Sequence, residues 1–301
     1  MSEATDRVWT VLDLLRWTTD YFEHQGIETA RLDAECLLAA VLACPRLQLY
    51  IDFEKPVSPD DRAAFREWVL KRGRDRVPVA LLLGQREFWS LPISVSDAVL
   101  VPRPETETLV SAALAALPDS DGEYAVLDVG TGSGCVALAI ATERPKAHLT
   151  ATDISSAALQ IATQNAEELL MSERIRFLEG DLFLPVRGES FDLVVSNPPY
   201  VARASAGELP PELAHEPETA LFGGEDGLDV VRRLVGDVGQ VLRPGGAFAV
   251  EIDSAQAEAV QSSCSEAGME QIRVHRDLAK RARVVSAQMP GPGPGEPRGE
   301  A

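Results

Sequence analysis

The sequence predicts an α/β protein in which a mostly parallel sheet is flanked by helices and is preceded by a small helical bundle. From Tyr124 onward, short apolar segments of strand length alternate with helical segments, which is typical of a parallel sheet with helices on both faces. Residues 7–75 instead carry apolar residues at helical spacing. The chain has 301 residues, of which 45% are apolar, so it can bury the core of one large domain or of two ordinary ones.

The N-terminal helices are predicted from apolar periodicity and from one clear helix start. Apolar side chains recur at helical spacing over residues 8–22 and again over residues 34–42. A third helix is predicted to begin at Ser58, because a serine N-cap is followed by Pro59 at the first helical position and then by two acids. Three amphipathic helices in succession predict a bundle that occupies residues 1–75.

A linker and the α/β domain follow this bundle. Residues 88–95 are predicted to form two short strands with a tight turn, within a β-hairpin linker over 76–100. The α/β domain is assigned to residues 101–288, and the Pro/Gly-rich tail 289–301 is predicted to be disordered. In this domain, strands are predicted at 125–130, 147–153, 174–181, 191–200, 245–253, 270–275 and 282–287, with helices at 104–117, 135–143, 156–169, 227–242 and 255–267.

Charge and composition exclude several classes of protein. The formal net charge is −19, and the sequence contains no basic stripe. Direct binding to nucleic acid or to an anionic membrane is therefore not expected. No apolar run approaches the roughly 18 residues that cross a bilayer, and the N-terminus lacks the features of a secretory signal. The four cysteines and four histidines form no metal-binding spacing. We therefore expect a cytoplasmic protein with reduced thiols and without a metal.

A glycine-rich loop suggests a nucleotide cofactor. Residues 128–134 read Asp-Val-Gly-Thr-Gly-Ser-Gly and lie between a predicted strand and a predicted helix, where open α/β sheets bind ligands. A carboxylate at the end of the next strand can accept hydrogen bonds from ribose hydroxyls. Both NAD and S-adenosylmethionine satisfy this pattern, and a tight turn without a ligand is the less favoured alternative. The candidate cofactor-binding residues are Gly130, Thr131, Gly132, Ser133, Gly134 and Asp153.

A second motif decides between the two cofactors. Ser-Asn-Pro-Pro-Tyr at residues 196–200 follows an apolar strand, and the two prolines stop the strand and stiffen the backbone. The side chain of Asn197 and the carbonyl of Pro198 can accept one hydrogen bond each. A rigid pair of acceptors suits a planar NH₂ group, so the motif favours methyl transfer to nitrogen over an ordinary Asn-Pro turn.

These motifs together resemble a known family. Asn-Pro-Pro-Tyr with this glycine loop is similar to the amino-group methyltransferases that use S-adenosylmethionine. Residues 86–92, 101–107, 216–229 and 276–285 further resemble the release factor glutamine methyltransferases, or protein-(glutamine-N5) methyltransferases, and the resemblance extends over residues 7–288. It implies a Rossmann-like methyltransferase domain that supports translation termination by methylating the glutamine in the Gly-Gly-Gln loop of peptide-chain release factors. It also implies that the helical domain grips this protein substrate.

The site residues follow from the motif and from the resemblance. Asn197 Oδ1 and the Pro198 carbonyl are predicted to orient the substrate nitrogen, with Asn197 bordering the cofactor as well. Tyr200 is assigned to catalysis by packing against the glutamine amide, although plain core packing is an alternative, and Pro199 completes the substrate site. The resemblance places Asp181 and Leu182 in the cofactor site, beside the adenine.

Two functions compete with this interpretation. An adenine or cytosine amino-methyltransferase acting on nucleic acid shares both motifs, but it should add a basic groove, and the net charge of −19 argues against one. A non-catalytic nucleotide-binding module would not need Asn197 before two prolines. Methylation of a small molecule is a weaker alternative. We expect a monomer whose partners are peptide-chain release factors.

Overall fold

The computed structural model describes residues 8–291, so residues 1–7 and 292–301 lie outside the described residues. The chain divides into two compact units, Met1–Gly84 and Gln85–Ala301. Most of the tail that the sequence predicts to be disordered falls outside the described residues. Its first residues are described, and Met289 N donates to Gly246 O at 2.8 Å.

The first unit is helical, as its apolar periodicity predicts. The predicted helix start is confirmed, because Ser58 Oγ accepts a hydrogen bond from Asp61 N at 3.1 Å. Two short helices, α3 and α5, were not predicted, since five or six residues are too few to establish a helical period. The helices are α1 Val11–His24, α2 Ala30–Val41, α3 Arg46–Ile51, α4 Pro59–Gly73 and α5 Val79–Leu83.

The core of this unit is apolar with one buried ion pair. Leu15 and Phe22 of α1 pack with Leu37 of α2 in a cluster from which solvent is excluded. Arg72 of α4 donates to Asp33 of α2 at 2.7 Å, and both side chains are about nine-tenths buried. Removing one partner of such a pair is costly, because the other charge is left buried alone.

A β-hairpin opens the second unit. Strands β1 Gln85–Phe88 and β2 Leu91–Ser94 pair antiparallel. Trp89 and Ser90 form the turn with φ of 52° and 58°, the left-handed geometry that two-residue hairpins favour. The first strand begins three residues before the predicted hairpin, because its leading residues are polar and carry no apolar signal.

The main sheet has the predicted alternation of strands and helices. In the described part of the chain it has seven strands in the order β5-β4-β3-β6-β7-β9-β8, and β9 runs in the opposite direction to the other six. The strands are β3 Ala125–Val129, β4 His148–Asp153, β5 Ile175–Glu179, β6 Phe191–Ser196, β7 Leu242–Glu251, β8 Glu270–Arg276 and β9 Ala282–Gln288. The helices are α6 Glu107–Ala116, α7 Cys135–Glu143, α8 Ser156–Glu168, α9 Glu218–Leu221, α10 Asp229–Asp237 and α11 Ala257–Glu266.

The boundaries differ from the prediction at a few elements. The helix predicted over residues 227–242 consists of α10 followed by a 3-10 turn. Strand β7 begins at Leu242, three residues before its predicted start, and its pairing with β6 contains a register shift. The short helix α9 was not predicted. Among the described residues, no helix is long and apolar enough to cross a membrane.

The register of the sheet brings three chain segments to one edge. Val129 at the end of β3 lies level with Thr152 of β4 on one side and with Ser196 of β6 on the other. The loops that leave these three parallel strands therefore start side by side. The glycine-rich loop, Asp153 and Asn197 follow these positions directly, which is the arrangement that the sequence predicts.

Candidate active site

A cavity of about 410 Å³ lies at this edge of the sheet. Its size is in the range of sites for small molecules and cofactors. The predicted site residues that line it are Gly130, Thr131, Gly132, Ser133, Asp153, Asp181, Leu182, Asn197, Pro198 and Pro199. Gly134 and Tyr200 lie outside this lining, although the sequence analysis assigned them to the cofactor and to the substrate. Among residues 8–291, no group of His, Cys, Asp and Glu side chains could hold a metal ion.

The glycine-rich loop joins β3 to α7 in left-handed backbone geometry. Gly130 and Gly132 have φ of 72° and 56°, and no other atom lies within 4 Å of a Cβ built at either position. Backbone conformation, rather than crowding, therefore requires glycine there. At Gly134, with φ of 80°, a Cβ would also lie 3.2 Å from the Ala162 Cβ of α8. Gly134 therefore serves the close packing of the loop on α8, which explains its place outside the cavity lining.

Asp153 is held by the backbone and lines the cavity. Its Oδ2 accepts a hydrogen bond from Gly132 N at 2.8 Å, and its Oδ1 accepts one from Ser155 N at 2.9 Å. Burial raises the pKa of this carboxyl, and these backbone hydrogen bonds oppose the rise. Each oxygen keeps a further lone pair, so a carboxylate here can accept hydrogen bonds from two hydroxyl groups of a ligand.

Asp128 supports the loop from below and was not among the predicted site residues. It is 1% exposed, and its Oδ2 accepts a hydrogen bond from Thr131 Oγ1 at 2.7 Å. Burial raises the pKa of Asp128 to about 6, and the hydrogen bond from Thr131 opposes the rise. An acid inside an otherwise apolar strand was the available signal, because an acid is rarely buried without a role.

Asp181 and Leu182 form the wall of the cavity beyond β5. Arg233 of α10 forms an ion pair with Asp181 at the cavity edge. Leu182 has φ of 50°, and its carbonyl accepts a hydrogen bond from Thr152 Oγ1 at 3.3 Å. The backbone turn at Leu182 is therefore anchored to the end of β4, next to the carboxylate of Asp153.

Asn197 and Pro198 line the cavity, and each has an acceptor oxygen without a donor among the described residues. Asn197 Nδ2 donates to Thr106 Oγ1 at 3.3 Å, which directs the amide, whereas Asn197 Oδ1 is buried and has no hydrogen-bond partner among the described residues. The hydrogen bonds of residues 8–291 also leave the Pro198 carbonyl without a donor. A buried acceptor without a donor costs free energy, and a bound NH₂ group would remove this cost.

The loop after α9 supports the Asn-Pro-Pro-Tyr turn from behind. Gly223 N donates to Val201 O at 3.0 Å, and a Cβ at Gly223 would lie 2.3 Å from the Pro199 carbonyl oxygen. A Cβ at Gly227 would lie 2.2 Å from the Tyr200 carbonyl oxygen. Two backbones approach too closely for any side chain, so these glycines set the position of the turn.

Tyr200 is half-buried and is not among the residues that line the cavity. Its hydroxyl donates to Glu251 Oε1 at 3.4 Å, and Glu251 ends strand β7. Burial, followed by the negative charge of Glu251, raises the pKa of Tyr200. The described contacts of its hydroxyl therefore correspond to the packing alternative of the sequence analysis.

A partly buried ion pair holds the segment before α6 beside the cavity. Arg103 lines the cavity and donates to Glu216, whose side chain is fully buried. The second oxygen of Glu216 accepts a hydrogen bond from Val101 N at 3.3 Å. The partner of Arg103 is therefore a residue more than a hundred positions along the chain.

Known proteins resemble this chain over almost its whole length. The model of the PrmC N-terminal domain matches residues 13–84, and the model of the methyltransferase small domain matches residues 107–224. A release factor glutamine methyltransferase from Rhodopirellula baltica is 44% identical over 95% of this chain and 98% of that protein. Another, from Geobacter sulfurreducens, is 42% identical over 94% of this chain and 98% of that protein.

The fold also matches solved methyltransferase structures. The crystal structure of a methyltransferase from Pyrococcus furiosus superposes with a TM-score of 0.50 at 17% identity, over 77% of this chain and 98% of that chain. At this identity the likeness concerns the fold alone, and it confirms the predicted methyltransferase sheet.

Proposed function

The chain belongs to the release factor glutamine methyltransferases, and from this premise we propose that it methylates the side-chain nitrogen of glutamine in the Gly-Gly-Gln loop of a peptide-chain release factor. The observation that carries the proposal is the buried, unpartnered Oδ1 of Asn197 beside the free Pro198 carbonyl. Two acceptors at the end of one strand match the two N–H groups of a carboxamide.

The proposed cofactor is S-adenosylmethionine. When bound, it supplies a methyl group that its positively charged sulfur activates for transfer. The glycine loop leaves open space over Gly130 and Gly132, and Asp153 offers two carboxylate oxygens for ribose hydroxyls. The adenine is proposed to lie against Asp181 and Leu182, which line the same cavity. These features of the cavity fit the cofactor that the family implies.

The role of the Asn197 turn is to orient a weak nucleophile. The nitrogen of a carboxamide reacts poorly, because its lone pair is delocalised into the carbonyl. If Asn197 Oδ1 and Pro198 O accept one N–H each, the face of the nitrogen is left toward the methyl group. After transfer the nitrogen carries a positive charge and is acidic, so one of its protons leaves for water without a strong dedicated base. Pro199 stiffens this turn.

The remaining proposals concern partner and location. A release factor is the proposed partner, the proposed location is the cytoplasm, and the chain is proposed to act as a monomer. A net charge of −19 supports a protein substrate over a nucleic acid, since phosphate binding requires concentrated positive charge.

Mass spectrometry of the substrate tests this function. A release factor is incubated with the full chain and S-adenosylmethionine, and one added methyl group is expected on the glutamine of the Gly-Gly-Gln loop. A release factor in which that glutamine is replaced by glutamate is the matched control, and it should remain unmodified. Labelled cofactor with DNA or RNA in place of the protein forms a further arm. Methylation of nucleic acid, with an unmodified release factor, would overturn the proposal.

A further inference from the structure

The carboxamide of glutamine has one polar group that the function described so far leaves without a partner. Its two N–H groups are assigned to Asn197 Oδ1 and to the Pro198 carbonyl, whereas its own carbonyl oxygen is an acceptor. An acceptor that is enclosed in the cavity without a donor would cost free energy. A site that selects glutamine therefore needs a hydrogen-bond donor close to the Asn-Pro-Pro-Tyr turn.

Arg103 is a positively charged donor at this cavity. It is one of the lining residues, and its side chain is 32% exposed. A guanidinium has five N–H donors, and the hydrogen bond that this side chain makes among residues 8–291 is the one to Glu216. Donors of Arg103 therefore remain for a ligand.

Two observations place Arg103 near the turn. Burial raises the pKa of Tyr200, the last residue of the turn, and the positive charge of Arg103 opposes this rise, so the two side chains are within electrostatic range. The backbone connects the same segments, because Thr106 N donates to Arg103 O at 3.1 Å and Thr106 Oγ1 accepts from Asn197 Nδ2 at 3.3 Å. Arg103 and Asn197 therefore border the same part of the cavity.

Glu216 holds the guanidinium in place. Its carboxylate is fully buried, its Oε1 accepts from Arg103 at 2.5 Å, and its Oε2 accepts from Val101 N at 3.3 Å. A carboxylate is rarely buried, because only a well-placed opposite charge and hydrogen bonds offset the loss of its hydration. Since both oxygens are engaged, Glu216 fixes one end of the guanidinium, and the partly exposed remainder of Arg103 borders the cavity.

Two other arginines among the described residues line the cavity, and both are less suited to this task. Arg233 pairs with Asp181, which follows β5, and β5 is three strands away from β6, about 14 Å at the usual strand spacing. Arg203 has its Cζ 5.1 Å from the centre of the Phe222 ring, and its side chain is 61% exposed. A charged donor that faces water gains less from a new partner than a partly buried one.

We propose that Arg103 is a substrate-binding residue: its guanidinium donates a hydrogen bond to the side-chain carbonyl oxygen of the glutamine, and Glu216 is the positioning residue that holds it there. The proposal rests on the proposed function, because it assumes that Asn197 and Pro198 accept from the same carboxamide.

With this donor, every polar group of the carboxamide has a partner of the opposite kind. One donor at the carbonyl and two acceptors at the N–H groups fit the carboxamide in a single orientation, with its nitrogen at Asn197. A glutamate would place an oxygen against the two acceptors, so it is rejected. The hydrogen bond from Arg103 does not make the nitrogen more reactive, since a donor at the carbonyl favours delocalisation of the lone pair. Its contribution is therefore to binding and orientation.

Paired substitutions in the full chain test this role without leaving a charge buried alone. Arg103→Met combined with Glu216→Gln removes the donor and its buried counter-ion together. Arg176→Met combined with Glu189→Gln is the matched control, because this ion pair lies outside the cavity lining and its side chains are 50% and 39% exposed.

Each chain is tested with two release factors. One carries the glutamine of the Gly-Gly-Gln loop, and the other carries methionine in its place, which has a similar length but neither a carbonyl nor an N–H group in its side chain. Affinity is measured by calorimetry in the presence of S-adenosylhomocysteine, which has no methyl group to transfer. The kcat and KM for the glutamine-containing release factor are measured with S-adenosylmethionine.

The expected result depends on the carbonyl of the substrate. The Arg103→Met/Glu216→Gln chain should bind the glutamine-containing release factor roughly 10-fold to 100-fold more weakly than the unaltered chain, as the loss of a hydrogen bond to a charged group predicts. Its kcat/KM should fall by a similar factor. The two chains should bind the methionine-containing release factor within about twofold of each other, since that side chain has no carbonyl for Arg103. The control pair should bind both release factors as the unaltered chain does.

Two results would overturn the role of Arg103. One is an unaltered affinity and an unaltered kcat/KM of the Arg103→Met/Glu216→Gln chain for the glutamine-containing release factor. The other is an equal loss of affinity for both release factors, because it would mean that the ion pair only supports the shape of the segment before α6. Failure of the unaltered chain to methylate the glutamine-containing release factor would instead overturn the proposed function, so the two failures are distinct.

Discussion

The Glu251→Gln substitution should make the chain more stable at alkaline pH, because it removes a buried negative charge. The free chain holds this carboxyl in an environment that disfavours its charge, because it is 1% exposed and its Oε2 has no partner among the described residues. Glutamine is neutral at every pH, so the variant avoids the cost of a buried negative charge.

The magnitude follows from the shift of the pKa. The pKa of Glu251 is raised from 4.5 to about 7 by burial, so the folded chain binds this proton more tightly than the unfolded chain. The stabilisation that the folded chain gains from binding this proton is therefore complete below pH 4.5, and it is lost as the pH rises through about 7. At about 1.4 kcal/mol for each unit of pKa, the loss amounts to about 3 kcal/mol in the free energy of unfolding.

Urea unfolding at a series of pH values measures this loss. The quantity of interest is the free energy of unfolding of Glu251→Gln minus that of the unaltered chain, because other titrating groups cancel in the difference. This difference should increase by about 3 kcal/mol between about pH 4.5 and about pH 8.5. Glu270→Gln, exposed on β8, is the control for the removal of one negative charge from the surface. A flat difference for Glu251→Gln would refute the buried, proton-binding state of this carboxyl.

Three further predictions concern the turn and the cofactor site. Asn197→Ala should lower turnover on the order of 10²-fold or more, as the loss of a preorganised acceptor does, and full turnover in a labelled-methyl assay would contradict its role. Asp153→Ala should weaken cofactor binding by roughly 10-fold to 100-fold, because two hydrogen bonds to a charged acceptor disappear, and unaltered affinity in calorimetry would contradict this assignment. Gly223→Ala would place a Cβ 2.3 Å from the Pro199 carbonyl oxygen, so it should displace the turn and reduce turnover. The matched variant Gly236→Ala, where nothing lies within 4 Å of the new Cβ, should retain activity.

Much of the fold followed from local patterns. The start of α4 was predictable because Ser58 accepts from Asp61 only three residues away, and helix caps depend on such short distances. The edge of the site was predictable for a related reason. Parallel strands end at the same edge of a sheet, so the glycine loop, Asp153 and Asn197 were expected to meet once three strands had been recognised.

The support of the site was less predictable. Thr106 lies 91 positions from Asn197, and Glu251 lies 51 positions from Tyr200. Glu251 did carry a signal, as an acid in an apolar strand, but its partners could not be read from that pattern. Gly134 and Tyr200 show the same limit, since a motif predicts which residues are close to a site but not which of them line the cavity.

The sequence by itself determined the order of helices and strands, the loops that meet at one edge of the sheet, and the acceptors that suit an NH₂ group. These properties depend on residues that are near each other in the chain or on the geometry common to all parallel sheets. Only the tertiary structure decided that Asn197 donates to Thr106, that Tyr200 donates to Glu251, and that Glu216 pairs with Arg103. Such contacts join segments that are far apart in the chain. Local sequence patterns do not distinguish among the many possible partners of each side chain, and the packing of the sheet and its helices selects one of them.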